Sequence, residues 1–168
     1  MKKKTAIISS VLGTVLGTSL GAGFLYKAGK EKDKKLKDII DVNCKNDAIL
    51  KLFAKWMKLK QNGKSIAGYL KDNGYKTVAI YGMHYLGECL LNELKDSEIE
   101  VKYAIDRNAW QITADVDVIT LDDNLLEVDA IIVTAFWFFD TIEDELFKIA
   151  DYPVLSLEEI ISEMEYEA

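Results

Sequence analysis

The stretch Lys76-Thr-Val-Ala-Ile-Tyr81, followed directly by Gly82-Met-His-Tyr-Leu-Gly87, decides the fold of this 168-residue chain. The first part is a β-branched, apolar run that predicts a strand, and the glycines after it predict a tight turn. Residues 88–94 have apolar positions that suit a helix, and Glu100-Val-Lys-Tyr-Ala-Ile105 predicts a second strand that is followed directly by Asp106. This order predicts a strand–turn–helix–strand unit whose two strands are parallel neighbours.

Strands and helices alternate along the rest of the chain. Residues 115–120, 130–134 and 154–156 predict three more strands, and residues 141–150 and 157–164 predict two helices. Such alternation is typical of an α/β fold. We therefore expect a small, doubly wound, mostly parallel Rossmann-like sheet of four or five strands.

The turn after the first strand is similar to the glycine fingerprint of dinucleotide-binding folds. That fingerprint contains three glycines. The first makes the tight turn, the second lets the backbone approach the pyrophosphate, and the third lets the helix pack closely on the strand. Gly82 and Gly87 fill the first and third positions, but His84 replaces the middle glycine. Either the imidazole excludes a dinucleotide or it faces the ligand itself, and the sequence leaves both interpretations open.

Polar residues at the predicted strand ends extend this site. Asp106 lies 24 residues after Gly82, where an acid holds ribose hydroxyls, and the adjacent Arg107 has the chemistry to pair with a phosphate. NAD(P) or a nucleotide sugar is the expected ligand. The predicted cofactor-binding residues are Gly82, Met83, His84, Tyr85, Leu86, Gly87, Asp106, Arg107 and Thr134.

The aromatic residues, the histidine and the two cysteines are also considered as site residues. The aromatic residues 136–139 follow a strand at the edge where ligands of open α/β sheets bind, so they either stack a base, contact a partner or cover the domain's own core. His84 has no orienting partner that the sequence identifies, so no catalytic residue is predicted. Cys44 and Cys89 lack metal-site spacing, and Cys89 is expected in the core.

Three stretches carry a resemblance to a known group: Thr77-Val-Ala-Ile-Tyr-Gly-Met-His-Tyr-Leu-Gly-Glu88, Tyr103-Ala-Ile-Asp-Arg-Asn108 and Val154-Leu-Ser-Leu-Glu-Glu-Ile160. The chain resembles, over residues 50–162, a compact bacterial NAD(P)-binding-like domain associated with glycosyltransferases and other surface-polysaccharide enzymes. It is similar, too, to the nucleotide-sugar-binding N-terminal domain of sialic-acid and bacillosamine acetyltransferases. Their activity belongs to a separate catalytic β-helix, so the resemblance implies an accessory protein of polysaccharide biosynthesis and no catalysis.

A protein-interaction module is the alternative interpretation. In it, His84 blocks the pocket of a degenerate Rossmann-like domain, and the aromatic edge around Trp137 recruits a protein partner to the membrane. An oxidoreductase is a third hypothesis, for which a homodimer would have to supply the substrate site.

The N-terminal segment predicts a membrane anchor. Residues 5–25 contain no charged residue, and as a helix they would span about 31 Å, which matches a bilayer core. Gly13, Gly17 and Gly21 recur every four residues and predict lateral self-association into a homo-oligomer. A cleaved signal peptide is the alternative, but its apolar core is usually about 7–15 residues long, which favours a retained anchor.

The flanks of this segment predict its orientation. Lysines are more numerous in residues 27–37 than in residues 2–4, which favours a single-pass cell-membrane protein with a cytoplasmic C-terminal domain. The stretch Gly21-Ala-Gly-Phe-Leu-Tyr-Lys-Ala-Gly-Lys-Glu31 also resembles small bacterial YtxH-like proteins, which implies insertion in the inner membrane.

Charge is divided unevenly along the chain. Residues 1–64 hold 15 lysines and 5 acids (15 − 5 = +10), whereas residues 65–168 hold 6 basic and 23 acidic residues (6 − 23 = −17). Because so acidic a surface repels the phosphate backbone, we expect no nucleic-acid binding by the second half.

Helix start and stop signals divide the middle of the chain. Asn46 or Asp47 predicts a helix start, Asn62-Gly63 a stop, and Gly74 the end of a second short helix. The sequence thus predicts four segments: a transmembrane anchor over residues 1–26, a basic juxtamembrane linker over 27–45, a helical lead-in over 46–74 and a Rossmann-like domain over 75–168.

Overall fold

A computed structural model describes the backbone of residues 2–166 and the side chains of residues 30–166. The helices are α1 (Lys2–Gln61), α2 (Ile66–Asp72), α3 (Tyr85–Leu94), α4 (Phe139–Leu146) and α5 (Leu157–Tyr166). The strands are β1 (Thr77–Tyr81), β2 (Glu100–Ile105), β3 (Val118–Ile119), β4 (Ala130–Val133) and β5 (Val154–Ser156). Short 3₁₀ turns lie at Ala109–Gln111 and Phe136–Phe138.

The five strands form one sheet in the order β3-β2-β1-β4-β5, and every pair is parallel. At its centre Ile80 of β1 pairs with Ala104 of β2 on one side and Ile132 of β4 on the other. This is the strand order of a Rossmann sheet up to its fifth strand. The predicted Rossmann-like α/β fold is confirmed, and the sheet is wholly rather than mostly parallel.

Alternate residues of the strands face opposite sides of the sheet, because successive side chains in a strand point in opposite directions. Val78 and Ile80 belong to a core with buried residues of α2, α3, α5 and the end of α1. Ala79 and Tyr81 belong to a second core with Ile142 of α4. Helices on both faces make the sheet doubly wound.

The chain divides into two compact units, residues 1–48 and residues 49–168. The second unit contains the whole sheet, the helices α2 to α5 and the last part of α1. In that part Leu52, Trp56 and Leu59 are buried in the core. Their spacing of three and four residues puts them on one face of the helix.

The predicted helix start at Asn46 or Asp47 is wrong, because α1 runs through both residues without a break. Asn and Asp cap a helix only where it begins, and inside a helix their propensity costs well under about 1 kcal/mol each. The predicted stop is confirmed: α1 ends at Gln61, and Gly63 has φ of 78°. Gly74, with φ of 84°, likewise follows α2.

Between residues 30 and 166, no helix is both long and apolar enough to cross a membrane. The predicted anchor over residues 1–26, with its glycines at 13, 17 and 21, lies outside the residues whose side chains the structure describes.

The expectation that Cys89 belongs to the core is wrong, because its side chain is exposed on α3. The buried face of α3 contains Leu86, Leu90 and Leu94, which are spaced by four residues. Cys89 precedes Leu90 by one position and is therefore rotated about 100° away from that face.

Candidate functional site

Two glycines shape the turn between β1 and α3. Gly82 has φ of 95°, a conformation that side chains with a Cβ rarely adopt. A Cβ on Gly87 would lie 2.1 Å from the carbonyl oxygen of Gly82, so only glycine lets α3 approach the turn this closely. Both positions therefore need glycine for the two reasons that the fingerprint predicts.

His84 lies at the start of α3 with φ of −99° and ψ of −164°, an ordinary extended conformation. Its ring is exposed and lies edge-on to the ring of Tyr85, at a centroid distance of 4.1 Å. No strain therefore opposes histidine at this position, and the imidazole lies outside the lining of the cavity described below.

Asp106 joins the end of β2 to the glycine turn. One carboxylate oxygen accepts a hydrogen bond from the Met83 amide at 2.9 Å, and the other accepts one from the Asn108 amide at 2.8 Å. A carboxylate has about four acceptor positions, so Asp106 keeps capacity for further donors.

Thr134, at the end of β4, lies beneath the turn. Its hydroxyl oxygen lies 2.6 Å from the carbonyl oxygen of Gly82 and 3.1 Å from that of Tyr81. The hydroxyl has one proton to donate, and the shorter distance favours Gly82 as its acceptor. Thr134 is buried and does not line the cavity, so it holds the ends of β1 and β4 together.

A cavity of about 280 Å³ opens at this edge of the sheet. It lies where the chain leaves β1 toward β2 and leaves β4 toward β5, which is the switch point at which open α/β sheets bind ligands. Its lining residues come from the ends of β1, β2 and β4 and from the start of α4: Tyr81, Gly82, Asp106, Arg107, Asn108, Ala135, Phe138, Thr141 and Ile142.

A second cavity, of about 490 Å³, adjoins the first. Tyr81 and Arg107 line both cavities and so form their common wall. The rest of the second lining comes from the ends of β2 and β3, the loop after β3, and α4: Ile105, Thr120, Leu121, Asp122 and Glu145.

The common wall contains an unusual polar group. Tyr81 is only 4% exposed, and its hydroxyl is the one buried side-chain polar atom without a hydrogen-bond partner in the described part of the chain. The Arg107 guanidinium lies close to this oxygen, but the two groups do not meet the geometry of a hydrogen bond. A tyrosine hydroxyl keeps its proton at neutral pH, and burial raises the pKa of Tyr81 further above its ordinary value of 10.

Arg107 has a second neighbour in Glu145 of α4. Its Nη2 atom lies 3.1 Å and 3.2 Å from the two carboxylate oxygens of Glu145. The contact with Tyr81 raises the pKa of Arg107, and the contact with Glu145 raises it further. A guanidinium is in any case charged at neutral pH. The Arg107 and Glu145 side chains are 68% and 36% exposed, so this ion pair is open to exchange with solvent and ligands.

The four aromatic residues after β4 have separate environments and form no single platform. Phe136 packs against the core of α2, α3 and α5, whereas Phe139 packs against the core of α4. Trp137 is exposed and stacks on Phe136 at a centroid distance of 5.4 Å. Phe138 alone lines the cavity. The structure thus combines the predicted core cover, through Phe136 and Phe139, with one aromatic side chain that lines the cavity.

Of the nine residues predicted for binding, Gly82, Asp106 and Arg107 line the cavity. Met83 and Leu86 are buried in the core, and Tyr85 is exposed. Phe138 belongs to the aromatic residues for which base stacking was one of the predicted roles, and the other lining side chains were not predicted. Tyr81 could have been predicted from the sequence, since it ends β1 at the same edge of the sheet as Asp106. The presence of Thr141 and Ile142 in the lining depends on how α4 packs, which the sequence pattern does not show.

The described residues contain no group of three or more His, Cys, Asp or Glu side chains positioned to hold a metal ion. The chain matches no protein-family model, no curated protein and no solved structure.

Proposed function

We propose that this domain binds a nucleotide or a nucleotide sugar at the carboxyl edge of its sheet. The observation that carries the proposal is the cavity at the switch point, which is bordered by the left-handed turn at Gly82. The amides in the first turn of α3 follow that turn directly, and such amides have no partner within their own helix. A phosphate group is the ligand that such amides bind best.

Three of the lining side chains have a role in this proposal. Asp106 accepts hydrogen bonds from ribose hydroxyls with the acceptor positions that Met83 and Asn108 leave unused. Arg107 pairs with a phosphate oxygen. Phe138 gives the base an aromatic surface at the mouth of the cavity.

The size of the cavity favours a small ligand. Cavities that enclose drug-sized molecules measure about 300–1,000 Å³, and this one measures about 280 Å³. A mononucleotide, or a nucleotide sugar with its sugar outside the cavity, fits such a volume better than a whole dinucleotide does. We therefore favour the nucleotide sugar over NAD(P).

Thermal unfolding of the full-length chain tests this function. A ligand that binds only the folded state stabilises it by about 2.7 kcal/mol at 100 times its Kd. We expect UMP and UDP-glucose to raise the Tm, and NAD and NADP to raise it less. Phe138→Ala should reduce the shift, whereas Phe147→Ala, which removes another exposed phenylalanine away from the cavity, should not. If no nucleotide raises the Tm, the proposal is wrong.

We further propose that residues 1–26 anchor the protein in the cell membrane with this domain in the cytoplasm. The uncharged run of residues 5–25 and the lysines after it support the anchor. Extraction of membranes with alkaline carbonate tests it, because an inserted helix stays in the membrane pellet. Sequencing the N-terminus of the mature protein then distinguishes a retained anchor from a cleaved signal.

An accessory role in surface-polysaccharide biosynthesis is the proposed context. The resemblance of residues 77–88 and 154–160 to polysaccharide-associated domains supports it. A Tm shift with UDP-sugars and none with NAD would agree with that role, whereas the reverse result would contradict it.

The exposed aromatic residues favour a second candidate function, the recruitment of a protein partner. Trp110, in the 3₁₀ turn after β2, is 81% exposed, and Trp137 is also exposed at this edge. Large exposed aromatic side chains are typical of binding surfaces. Crosslinking in cells should then yield a product that Trp137→Ala loses, and an unchanged product would exclude this surface.

A further inference from the structure

We propose that Tyr81 and Arg107 form a recognition site for an oxyanion, a phosphate or carboxylate group of the ligand, and that Glu145 holds Arg107 until this group displaces it. The inference rests on the proposed function and names the chemical group that the site selects. The juxtaposition that carries it is a buried hydroxyl without a partner, an exchangeable guanidinium and a competing carboxylate on one wall between two cavities.

The Tyr81 hydroxyl is a buried polar group whose proton has no acceptor. A buried polar group without a hydrogen bond is unfavourable, and each such group in a folded protein needs an explanation. Arg107 cannot satisfy the hydroxyl proton, because a guanidinium has donors and no acceptor. An oxygen atom of a ligand at this wall would accept that proton and remove the penalty.

Arg107 has hydrogen-bond donors that no group of the protein uses fully. A guanidinium has five N–H donors, and Glu145 engages only the Nη2 atom of Arg107. Since both side chains are well exposed, the pair contributes little stability and breaks at small cost. Arg107 lines both cavities, so it reaches a ligand in either one without leaving the site.

Charge is unevenly distributed around the two cavities. Arg107 is the only cationic residue that lines either cavity in the described part of the chain. Asp106, Asp122 and Glu145 place acids around it. The two linings together are net negative (1 − 3 = −2), so Arg107 is the one point in them that attracts an anionic group.

The Tyr81 hydroxyl and the Arg107 guanidinium are neighbouring hydrogen-bond donors, and they favour a ligand group with several acceptor oxygens. A phosphate or a carboxylate presents several oxygens with a negative charge and matches a guanidinium with two parallel hydrogen bonds. A neutral hydroxyl of a sugar offers neither the charge nor the paired oxygens. The ligand group at this wall is thus an oxyanion, supplied either by the nucleotide phosphate or by an acidic sugar.

Titration calorimetry of the full-length chain with UMP, UDP-glucose, UDP-glucuronate and inorganic phosphate tests the inference. Tyr81→Phe should weaken about tenfold the binding of each probe whose oxyanion contacts Tyr81. This is the effect of one hydrogen bond to a charged group. Glu145→Gln should strengthen it about threefold, because Arg107 loses its internal competitor. Asp144→Asn makes the same charge change on α4 at a residue that lines neither cavity, and it should leave the affinity unchanged.

The probes distinguish the two sources of the oxyanion. A preference of about tenfold for UDP-glucuronate over UDP-glucose that Tyr81→Phe abolishes identifies the carboxylate of an acidic sugar. Equal weakening of UMP and both nucleotide sugars by Tyr81→Phe identifies the nucleotide phosphate instead. Either result supports the inference.

The failure of this inference differs from the failure of the proposed function. If the nucleotides bind and neither Tyr81→Phe nor Glu145→Gln changes their affinity, the oxyanion site is wrong and nucleotide binding stands. If inorganic phosphate binds in a Tyr81-dependent way and no nucleotide does, the oxyanion site stands and nucleotide binding is wrong. If none of the four probes binds, both are wrong.

Discussion

The indole Nε1 of Trp56 donates a hydrogen bond of 2.8 Å to the carboxylate of Glu93 and so joins the end of α1 to α3. The same carboxylate accepts a hydrogen bond from the Ile66 amide, at the start of α2, and pairs with Lys60 at 2.9 Å. The Glu93 side chain is only 5% exposed. The helices α1, α2 and α3 therefore meet at one buried acid.

Glu93→Ala should destabilise the protein by about 2–4 kcal/mol, because it leaves a buried indole, a buried amide and a lysine without their acceptor. Urea denaturation measures the loss. Glu98→Gln removes an acid whose ion pair with Lys71 is largely exposed, and it should leave the urea midpoint almost unchanged. Equal effects of the two variants would contradict a supporting role for Glu93.

Gly87→Ala should destabilise the protein by at least about 3 kcal/mol, since the new Cβ meets a backbone oxygen that cannot rotate away. The clash also moves α3 away from the Gly82 turn, so the Tm shift with UMP should vanish. Gly68→Ala in α2 meets only the side chain of Ser65, at 3.2 Å, and should change stability by less than about 1 kcal/mol. A Gly87→Ala variant as stable as the wild type would show that the contact is not required.

Local signals were sufficient to predict most of the fold. Each strand is short and rich in apolar residues, and each helix after β1 has a clear buried face, so pattern alone defined their order. Gly82 and Gly87 were identified because their backbone roles follow from the turn. The error at Asn46 arose because a capping residue acts only at a helix start, and no glycine or proline between residues 30 and 61 interrupts α1.

The candidate site was less accessible to sequence reasoning. Asp106 was identified from its position, but its hydrogen bond to the Met83 amide depends on how closely β1 and β2 end together. The contact of Arg107 with Glu145 depends on the distance and angle at which α4 crosses the sheet. Side chains 38 positions apart in the sequence meet only through that packing, and no periodic pattern records it.

Acid should destabilise the protein partly through Asp129. The amides of Thr77 and Lys76 donate to its carboxylate at 2.7 Å and 2.8 Å, and these hydrogen bonds hold the pKa of Asp129 below its ordinary value of 3.8. A carboxyl whose pKa is lowered by folding stabilises the fold at pH values above its pKa in the unfolded state. This contribution is lost as the pH falls through its pKa in the folded state. Urea midpoints of Asp129→Asn should therefore fall less steeply than those of the wild type below about pH 4. Parallel pH profiles would contradict this linkage.

Tyr81 and Tyr103 offer a matched pair of buried phenols on the same face of the sheet. Tyr103 donates to the carbonyl oxygen of Leu126 at 3.0 Å, whereas the Tyr81 hydroxyl has no partner. Tyr103→Phe should therefore cost about 1 kcal/mol, and Tyr81→Phe should be neutral or stabilise the free protein by up to about 1 kcal/mol, as measured by urea denaturation.

The sign of the Tyr81 effect separates a structural role from a ligand-binding one. A hydroxyl retained for stability would cost free energy on removal, as that of Tyr103 does. A hydroxyl retained for a ligand should instead be dispensable in the free protein and costly only in the complex. If Tyr81→Phe destabilises the free protein as much as Tyr103→Phe does, the hydroxyl has a structural partner and its assignment to the oxyanion site fails.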